Sequence, residues 1–274
     1  MQLSHKVFVK NIKKNKMIAD TQKDVYRKKS VVKYYSESTG LQKPEETILD
    51  LLSDKLSGMK MLDIGVGGGR TTAYFANKVK EYVGIDFSEE MIENCKTRFL
   101  NKYTNARFLV KDVRNLSGFE NGEFDIVLFS FNGLDNINNE QRETAVKDIR
   151  RICKQDGYFI FSSHNIFYIP ELLKVHFRFN IIKMLQSLFK RGPFIRMNKE
   201  KIIRSNDADY VILFDGKNDF GLNTYYTKPS YQHEFMNKNG FKTIDIFDYI
   251  TGKRVHVEAE KTYTKTPWFY YLCR

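Results

Sequence analysis

Three glycines at alternate positions, Gly65, Gly67 and Gly69, follow an apolar run at 59–64 and stand directly before a helix-like segment. A residue without a β-carbon adopts positive φ freely and lets backbone come within van der Waals distance of a ligand. The pattern therefore predicts a strand-to-helix turn over which a flat, elongated cofactor lies. Asp86 comes twenty-one residues after Gly65, at the end of the next apolar run. A carboxylate at the end of the second strand is placed to accept hydrogen bonds from a ribose. A dinucleotide fingerprint would need its third glycine where Arg70 stands, or where Thr72 stands if counted from Gly67. Neither frame completes it, so the turn does not carry the dinucleotide fingerprint.

What remains is D-x-G-x-G-x-G, with Asp63 as the leading acid. Here the chain resembles the class I S-adenosylmethionine-dependent methyltransferases. Their first motif is similar to Leu62 through Gly69 and their ribose-binding acid to Asp86. Residues 108–113 resemble the strand ending in the acid that meets the adenine amino group, and 124–130 and 156–162 resemble the fourth and fifth strands. Four motifs in order cover about residues 44–165, with a weaker likeness to the C-terminus.

The resemblance implies S-adenosylmethionine as cofactor. Asp63 would meet its ammonium, directly or through water, and Gly65, Gly67 and Gly69 would border its methionine and ribose. Asp86 would take both ribose hydroxyls. Phe87 and Met91 would sandwich the adenine with an aromatic face and a polarizable thioether, and Asp112 would fix the base edge. Val113 and Ser130 complete the expected pocket, and Tyr34 and Tyr35 fall where an N-terminal lid would close, Tyr35 toward the cofactor and Tyr34 toward the acceptor.

Alternating strand and helix signals must position these residues. A helix is predicted from Pro44, which suits a first helical position. Strands are predicted near 59–64, 82–86, 106–110, 124–130 and 157–163, with helices at about 70–78, 88–102 and 139–154. Such alternation gives a mostly parallel sheet covered on both faces, with its ligand crevice at the strand C-terminal ends. Residues 167–191 read as a basic amphipathic helical piece ended by Gly192-Pro193, and 209–214 and 222–227 as a β-hairpin. Pro229 starts a further helix, and 241–248 and 268–273 read as strands. The fold class is thus α/β, a Rossmann-like seven-stranded methyltransferase sheet with an antiparallel C-terminal strand and an inserted helix and hairpin. Four regions follow: a basic arm and lid at 1–43, a cofactor-binding core at 44–165, a substrate-covering insertion at 166–228, and the rest of the core sheet at 229–274.

The chain has 274 residues and a net charge of +12. Residues 1–30 and 166–204 each hold nine Lys/Arg against two acids, so the remainder is slightly acidic. Two basic segments are where an anionic partner would bind, whether a phosphorylated or nucleotide-linked sugar or, as a second reading, RNA; the internal segment could instead lie on a membrane surface or simply pack. No apolar run approaches the ~20 residues of a membrane span. The isolated Cys95, Cys153 and Cys273 and the lack of metal-ligand spacing fit a reduced, cytoplasmic, metal-free protein.

A sulfonium already activates its methyl group, so the expected chemistry is in-line displacement by an oxygen or nitrogen of a small molecule. His164, after the fifth strand, is the candidate general base because its side-chain type titrates near neutrality. Asn132 is a candidate for orienting the acceptor, with Tyr225, Tyr226 and His233 behind it. Residues 131–135 lack the Asn/Asp-Pro-Pro-aromatic signature of base and amide N-methylating enzymes. A binding protein that keeps the cofactor pocket without transferring methyl is the reading from another class.

Overall fold

The computed structural model describes residues 31, 35, 37–174, 181–215 and 222–274. Tyr34 and most of the basic arm lie outside them. One sheet runs through the described chain. Its strands are β1 (Lys60–Ile64), β2 (Glu81–Asp86), β3 (Ala106–Val110), β4 (Phe124–Phe129), β5 (Cys153–Asn165), β6 (Tyr210–Asp215), β7 (Leu222–Thr227), β8 (Ile244–Asp248), β9 (Arg254–Val255) and β10 (Trp268–Cys273). The order β3-β2-β1-β4-β5-β10-β8-β9 places β1 in the middle of the five parallel strands. β1 pairs in parallel with β2 and β4, β2 with β3, and β4 with β5, whereas β10 is antiparallel to both β5 and β8. This is the parallel sheet with an antiparallel C-terminal strand that the sequence predicts.

Helices cover both faces. α1 (Lys43–Leu52) begins at a capping box in which Gln42 donates its backbone N–H to Glu45 at 2.7 Å. α2 (Thr72–Phe75) follows β1, α3 (Glu89–Phe99) follows β2, and α4 (Asn139–Ile152) precedes β5. The Ser88 and Asn138 side chains cap α3 and α4, each satisfying an otherwise orphaned N–H of the first turn. On one sheet face Leu62, Ile64, Val83, Phe159 and Tyr271 pack with α4; on the other Met61, Tyr82, Ile126 and Ile160 pack with α1, α3 and Phe75 of α2. Both sides of the inner strands β1, β2 and β4 are buried, as parallel strands between helical layers require, whereas the edge strand β3 buries one side only.

The insertion comprises α5 (Ile169–Leu172), α6 (Ile181–Arg204) and the β6–β7 hairpin. β7 continues the sheet beyond the end of β4, pairing in parallel with the last two residues of β5, His164 against Tyr226 and Asn165 against Thr227. It has a core of its own, built from Ile166, Ile169, Phe194, Val211, Leu213 and Tyr226. One sequence expectation is corrected here: Gly192-Pro193 does not end the helix, which runs to Arg204. Beyond Pro193 the turns are held by tertiary contacts. Phe194 is buried under the hairpin, and Asn198 donates to Phe214 O at 3.0 Å and accepts from Phe214 N at 2.8 Å. Packing of this kind outweighs the ~3 kcal/mol that a helical proline costs. α7 (Pro229–Lys238) then returns the chain to the sheet, and Gly240 closes it at φ +92.

Among the described residues no helix is long and apolar enough to cross a membrane, and no group of His, Cys, Asp or Glu is arranged to hold a metal ion.

Candidate active site

The turn after β1 lies at the C-terminal edge of the sheet, with Gly65, Gly67 and Gly69 at φ +66, +54 and +81. A β-carbon on Gly65 would press on the Phe129 ring at 3.2 Å, whereas one on Gly67 would reach only Gly65 O and Tyr35 Cβ at 3.9 Å. Gly67 N donates to Asp86 Oδ2 at 3.0 Å, and Ser88 N donates to Asp86 Oδ1 at 2.9 Å. The acid thereby sits beneath the turn, where burial pushes its pKa up to about 6 against these backbone donors. Beside it opens a cleft walled by Gly65, Gly67, Asp86, Phe87 and Met91 on one side, by Asp112, Val113, Lys111 and Arg114 at one end, and by Tyr35, Ser130 and Phe131 across the top. Tyr35 meets Phe131 edge to face at 6.1 Å. Nine predicted cofactor residues therefore share one cavity: Tyr35, Gly65, Gly67, Asp86, Phe87, Met91, Asp112, Val113 and Ser130.

Two predicted residues stand apart from it. Gly69 contributes no wall to the cleft, since a β-carbon there would lie 2.2 Å from the Phe99 ring. Its glycine is required for helix packing and a left-handed backbone. Gly69→Ala is accordingly expected to cost about 1–3 kcal/mol of overpacking in addition to backbone strain, leaving cofactor affinity within about twofold. Thermal denaturation beside a binding titration checks this, and a loss of affinity without loss of stability would return Gly69 to the ligand. Asp63 is buried, accepting from Thr71 Oγ1 and Tyr82 Oη at 2.5 Å each. Burial pushes it up to about 6 as well. It lines a smaller adjoining cavity with Gly65, Gly67, Arg70 and Ser130, so any contact with a cofactor ammonium would be made there.

Arg70, standing where a dinucleotide site would need glycine, has a different use. Its guanidinium takes both oxygens of Glu45 at 2.6 Å and also donates to Gly40 O and Ser130 Oγ at 3.0 Å. Glu45 further accepts from Ser130 Oγ and, at 2.9 Å, from Tyr270 Oη. Burial opposes its ionisation, yet Arg70 and these donors hold its pKa below the ordinary value. This network ties α1, the glycine turn, the end of β4 and β10 into one unit. Glu45 reads in sequence only as a favourable first-turn acid. The signal that could have found it is Arg70, a charge in a tight turn that needs a buried partner.

At the rim, Asp112 is engaged by Arg114, whose Nε donates to Oδ1 at 2.9 Å and whose backbone N–H does so at 3.0 Å. Beyond β4 the backbone is unusual: Phe131 and Asn132, neither a glycine, adopt φ of 56 and 58. Left-handed conformations of this kind cost of order 1–3 kcal/mol and cluster at functional sites. Asn132 N donates to Ser162 Oγ at 2.7 Å. A 3-10 turn, Gly133–Asn136, follows and places Asp135 against the end of β5. Asp135 accepts from Ser163 Oγ at 2.7 Å, from His164 N at 2.7 Å and from His164 Nδ1 at 2.8 Å. A carboxylate only accepts, so the imidazole proton sits on Nδ1 and Nε2 presents its lone pair. That lone pair accepts from Asn132 Nδ2 at 3.3 Å. His164 is buried between Tyr226, at 4.9 Å, and Trp268, at 6.0 Å. It is not itself a wall of the cleft; Asn132, between the cleft-lining Phe131 and Gly133, is what it touches. Asp135 is the member of this triad that sequence reading missed. Tyr225 lines a separate small cavity under the hairpin, Tyr226 packs on His164, and His233 is half-buried on α7.

Sheet order, glycine turn and strand-end acids together define the class I S-adenosylmethionine-dependent methyltransferase fold. Residues 61–157 match the family model described as a methyltransferase domain. Demethylmenaquinone methyltransferase of Lactococcus lactis is 29% identical over 144 residues, covering 50% of this chain and 55% of that protein. Phosphoethanolamine N-methyltransferase 3 of Arabidopsis thaliana is 29% identical over 128 residues, 46% of this chain and 26% of its own. The chain spans about half the length of the curated relatives it matches. Among solved structures, an S-adenosylmethionine-dependent methyltransferase from Clostridium acetobutylicum superposes with a TM-score of 0.57 at 18% identity, covering 85% of this chain and 90% of that one. The 1,6-didemethyltoxoflavin-N1-methyltransferase of Burkholderia thailandensis, solved with its substrate and S-adenosylhomocysteine, gives 0.55 at 15% identity over 84% and 76%.

Proposed function

We propose that this chain transfers the methyl group of S-adenosylmethionine to an oxygen or nitrogen of a small molecule. The supporting observation is that Asp86, Phe87, Met91 and Asp112 share one cleft with the positive-φ glycines, and that this cleft continues past Phe131 to Gly133, Asn136 and Ile137, beside the inserted hairpin. Gly65 and Gly67 would border the methionine portion, Asp86 would accept from the ribose, Phe87 and Met91 would hold the adenine faces, and Asp112 and Val113 its edge. When bound, the cofactor supplies a methyl carbon on sulfonium sulfur, whose carbon–sulfur bond breaks with its pair returning to sulfur as the acceptor's lone pair takes the methyl. Alignment of the two reactants is the chain's main contribution, of up to ~7–11 kcal/mol. Residues 44–165 with 229–274 would form the cofactor-binding core, 166–228 the acceptor cover, and 1–43 a lid of which Tyr35 touches the turn. The expectation of an anionic acceptor draws no support from the described walls: Lys111 and Arg114 stand at the adenine end, engaged with Ser117 O and Asp112.

His164 is the proposed base, with Asp135 fixing its tautomer; because its Nε2 is taken by Asn132 Nδ2 and it forms no wall of the cleft, Asn132 must move aside for the acceptor to reach it. His164→Ala is expected to lower turnover by roughly 10²-fold, with S-adenosylhomocysteine affinity within about twofold. Unchanged turnover would make the triad structural. The proposal as a whole is tested by incubating the protein with methyl-labelled cofactor and fractionated metabolite extracts. Label in a small-molecule fraction is expected; label in RNA alone, or in no fraction, contradicts it.

A further inference from the structure

A second cavity lies between the 3-10 turn and the inserted hairpin and meets the cofactor cleft at Asn136 and Ile137. Two of its polar groups are left without partners among the described residues: Tyr225 Oη and Asn223 Oδ1, both buried atoms. Buried hydroxyls and amides are almost always hydrogen-bonded, so two orphans on residues that line one cavity mark a place where something else completes the set. The Tyr225 ring is not free to turn toward another partner. It is stacked on Tyr210 at 4.7 Å and 16°, and the Arg142 guanidinium carbon stands 4.4 Å from its centre. Arg142 is itself buried and its Nη2 donates to Gln232 Oε1, while Arg142 Nε and Gln232 Nε2 lack partners among the described residues.

The charges around the cavity are balanced. Asp135 forms part of the wall and repels an anion, while Arg142 behind Tyr225 disfavours a cation. Ile137 and Ile212 supply apolar surface. On these grounds we propose that this cavity receives the polar edge of the methyl acceptor, and that the acceptor is a small neutral molecule carrying an N–H or O–H group, which donates to Asn223 Oδ1 and pairs with Tyr225 Oη. The assignment rests on the methyltransferase reading of the neighbouring cleft.

The test uses the full chain loaded with S-adenosylhomocysteine and followed by saturation-transfer NMR and thermal denaturation. Phenol, aniline and nicotinamide serve as neutral probes, and glucose 6-phosphate and uridine diphosphate glucose as anionic ones. At least one neutral probe is expected to bind saturably, and its affinity to fall tenfold or more in both Tyr225→Phe and Asn223→Ala, with S-adenosylhomocysteine affinity within twofold. Tyr225→Phe is also expected to keep or raise the melting temperature, because it deletes an unpaired buried hydroxyl. Tighter binding of the anionic probes, no binding of any neutral probe, unchanged affinity in the variants, or a fall in melting temperature in Tyr225→Phe would each overturn the proposal while leaving the cofactor site intact. Failure of the wild-type chain to bind S-adenosylhomocysteine would instead remove the methyltransferase reading on which it stands.

Discussion

Asp86→Ala lowers the affinity for S-adenosylhomocysteine by at least tenfold, and by up to several hundredfold if both ribose hydroxyls are lost as partners. A hydrogen bond to a charged group contributes about 1.5–3 kcal/mol, and the substitution also orphans Gly67 N and Ser88 N, which shape the turn. Asp86→Asn separates these contributions by keeping the shape and removing the charge. The same carboxylate gives binding a pH dependence of definite sign. Its pKa in the fold stands at about 6, above its ordinary 3.8, because burial disfavours the charge. Its stability contribution is therefore present below about 3.8 and lost as pH rises through about 6, so that ionised Asp86 costs the unliganded fold stability at pH 7. Ribose hydroxyls donate to the ionised form and offset that cost. Binding should accordingly release a proton near pH 6, with affinity rising from pH 5 to 7 and flattening above. Calorimetry in buffers of different ionisation enthalpy reads this directly, and affinity that is flat across the range would contradict the placement of the ribose at Asp86.

Glu45→Ala and Arg70→Ala are expected to be the most destabilising single substitutions in this set, by about 3–5 kcal/mol each, since either leaves its buried partner charge uncompensated. The Glu45 side chain is fully buried and Arg70 only 10% exposed, so solvent does little to screen the residual charge. Because Glu45 is held below its ordinary pKa, against the opposing effect of burial, its stabilisation is present above about 4.5 and is lost as pH falls through its folded value. Paired replacement by Met at 45 and Leu at 70 is expected to recover most of the loss. Denaturant unfolding of both single variants and the pair measures this. Near-additive losses in the pair would show that the two residues do not act on each other. Since Arg70 and Ser130 border the cavity beside the glycine turn, the single variants should also weaken cofactor binding.

The glycine turn and Asp86 were legible in the sequence because their geometry is local: one strand, one turn, one following strand. The last strands were legible from the alternation of residues 241–248 and the aromatic run at 268–273, and their antiparallel closure of the sheet from the family resemblance. What escaped was whatever depends on pairing distant in the chain. Glu45 meets Arg70 across 25 residues and Tyr270 across 225, and nothing in its own neighbourhood announces either. Asp135 belongs to His164 only because the 3-10 turn brings it to the end of β5. Glycine spacing does not reveal whether the absent β-carbon of Gly69 makes room for a cofactor or for Phe99, which a β-carbon there would strike. Pro193 sits within a helix for a related reason, since contacts of Phe194 and Asn198 with the hairpin outweigh the local preference to stop.

Isothermal calorimetry of the purified chain with S-adenosylhomocysteine tests the central claim most directly. Saturable binding at one site per chain, with a proton released near pH 6, is the predicted result. No detectable heat for S-adenosylhomocysteine or S-adenosylmethionine, or the same titration curve from Asp86→Ala as from the wild-type chain, would contradict it.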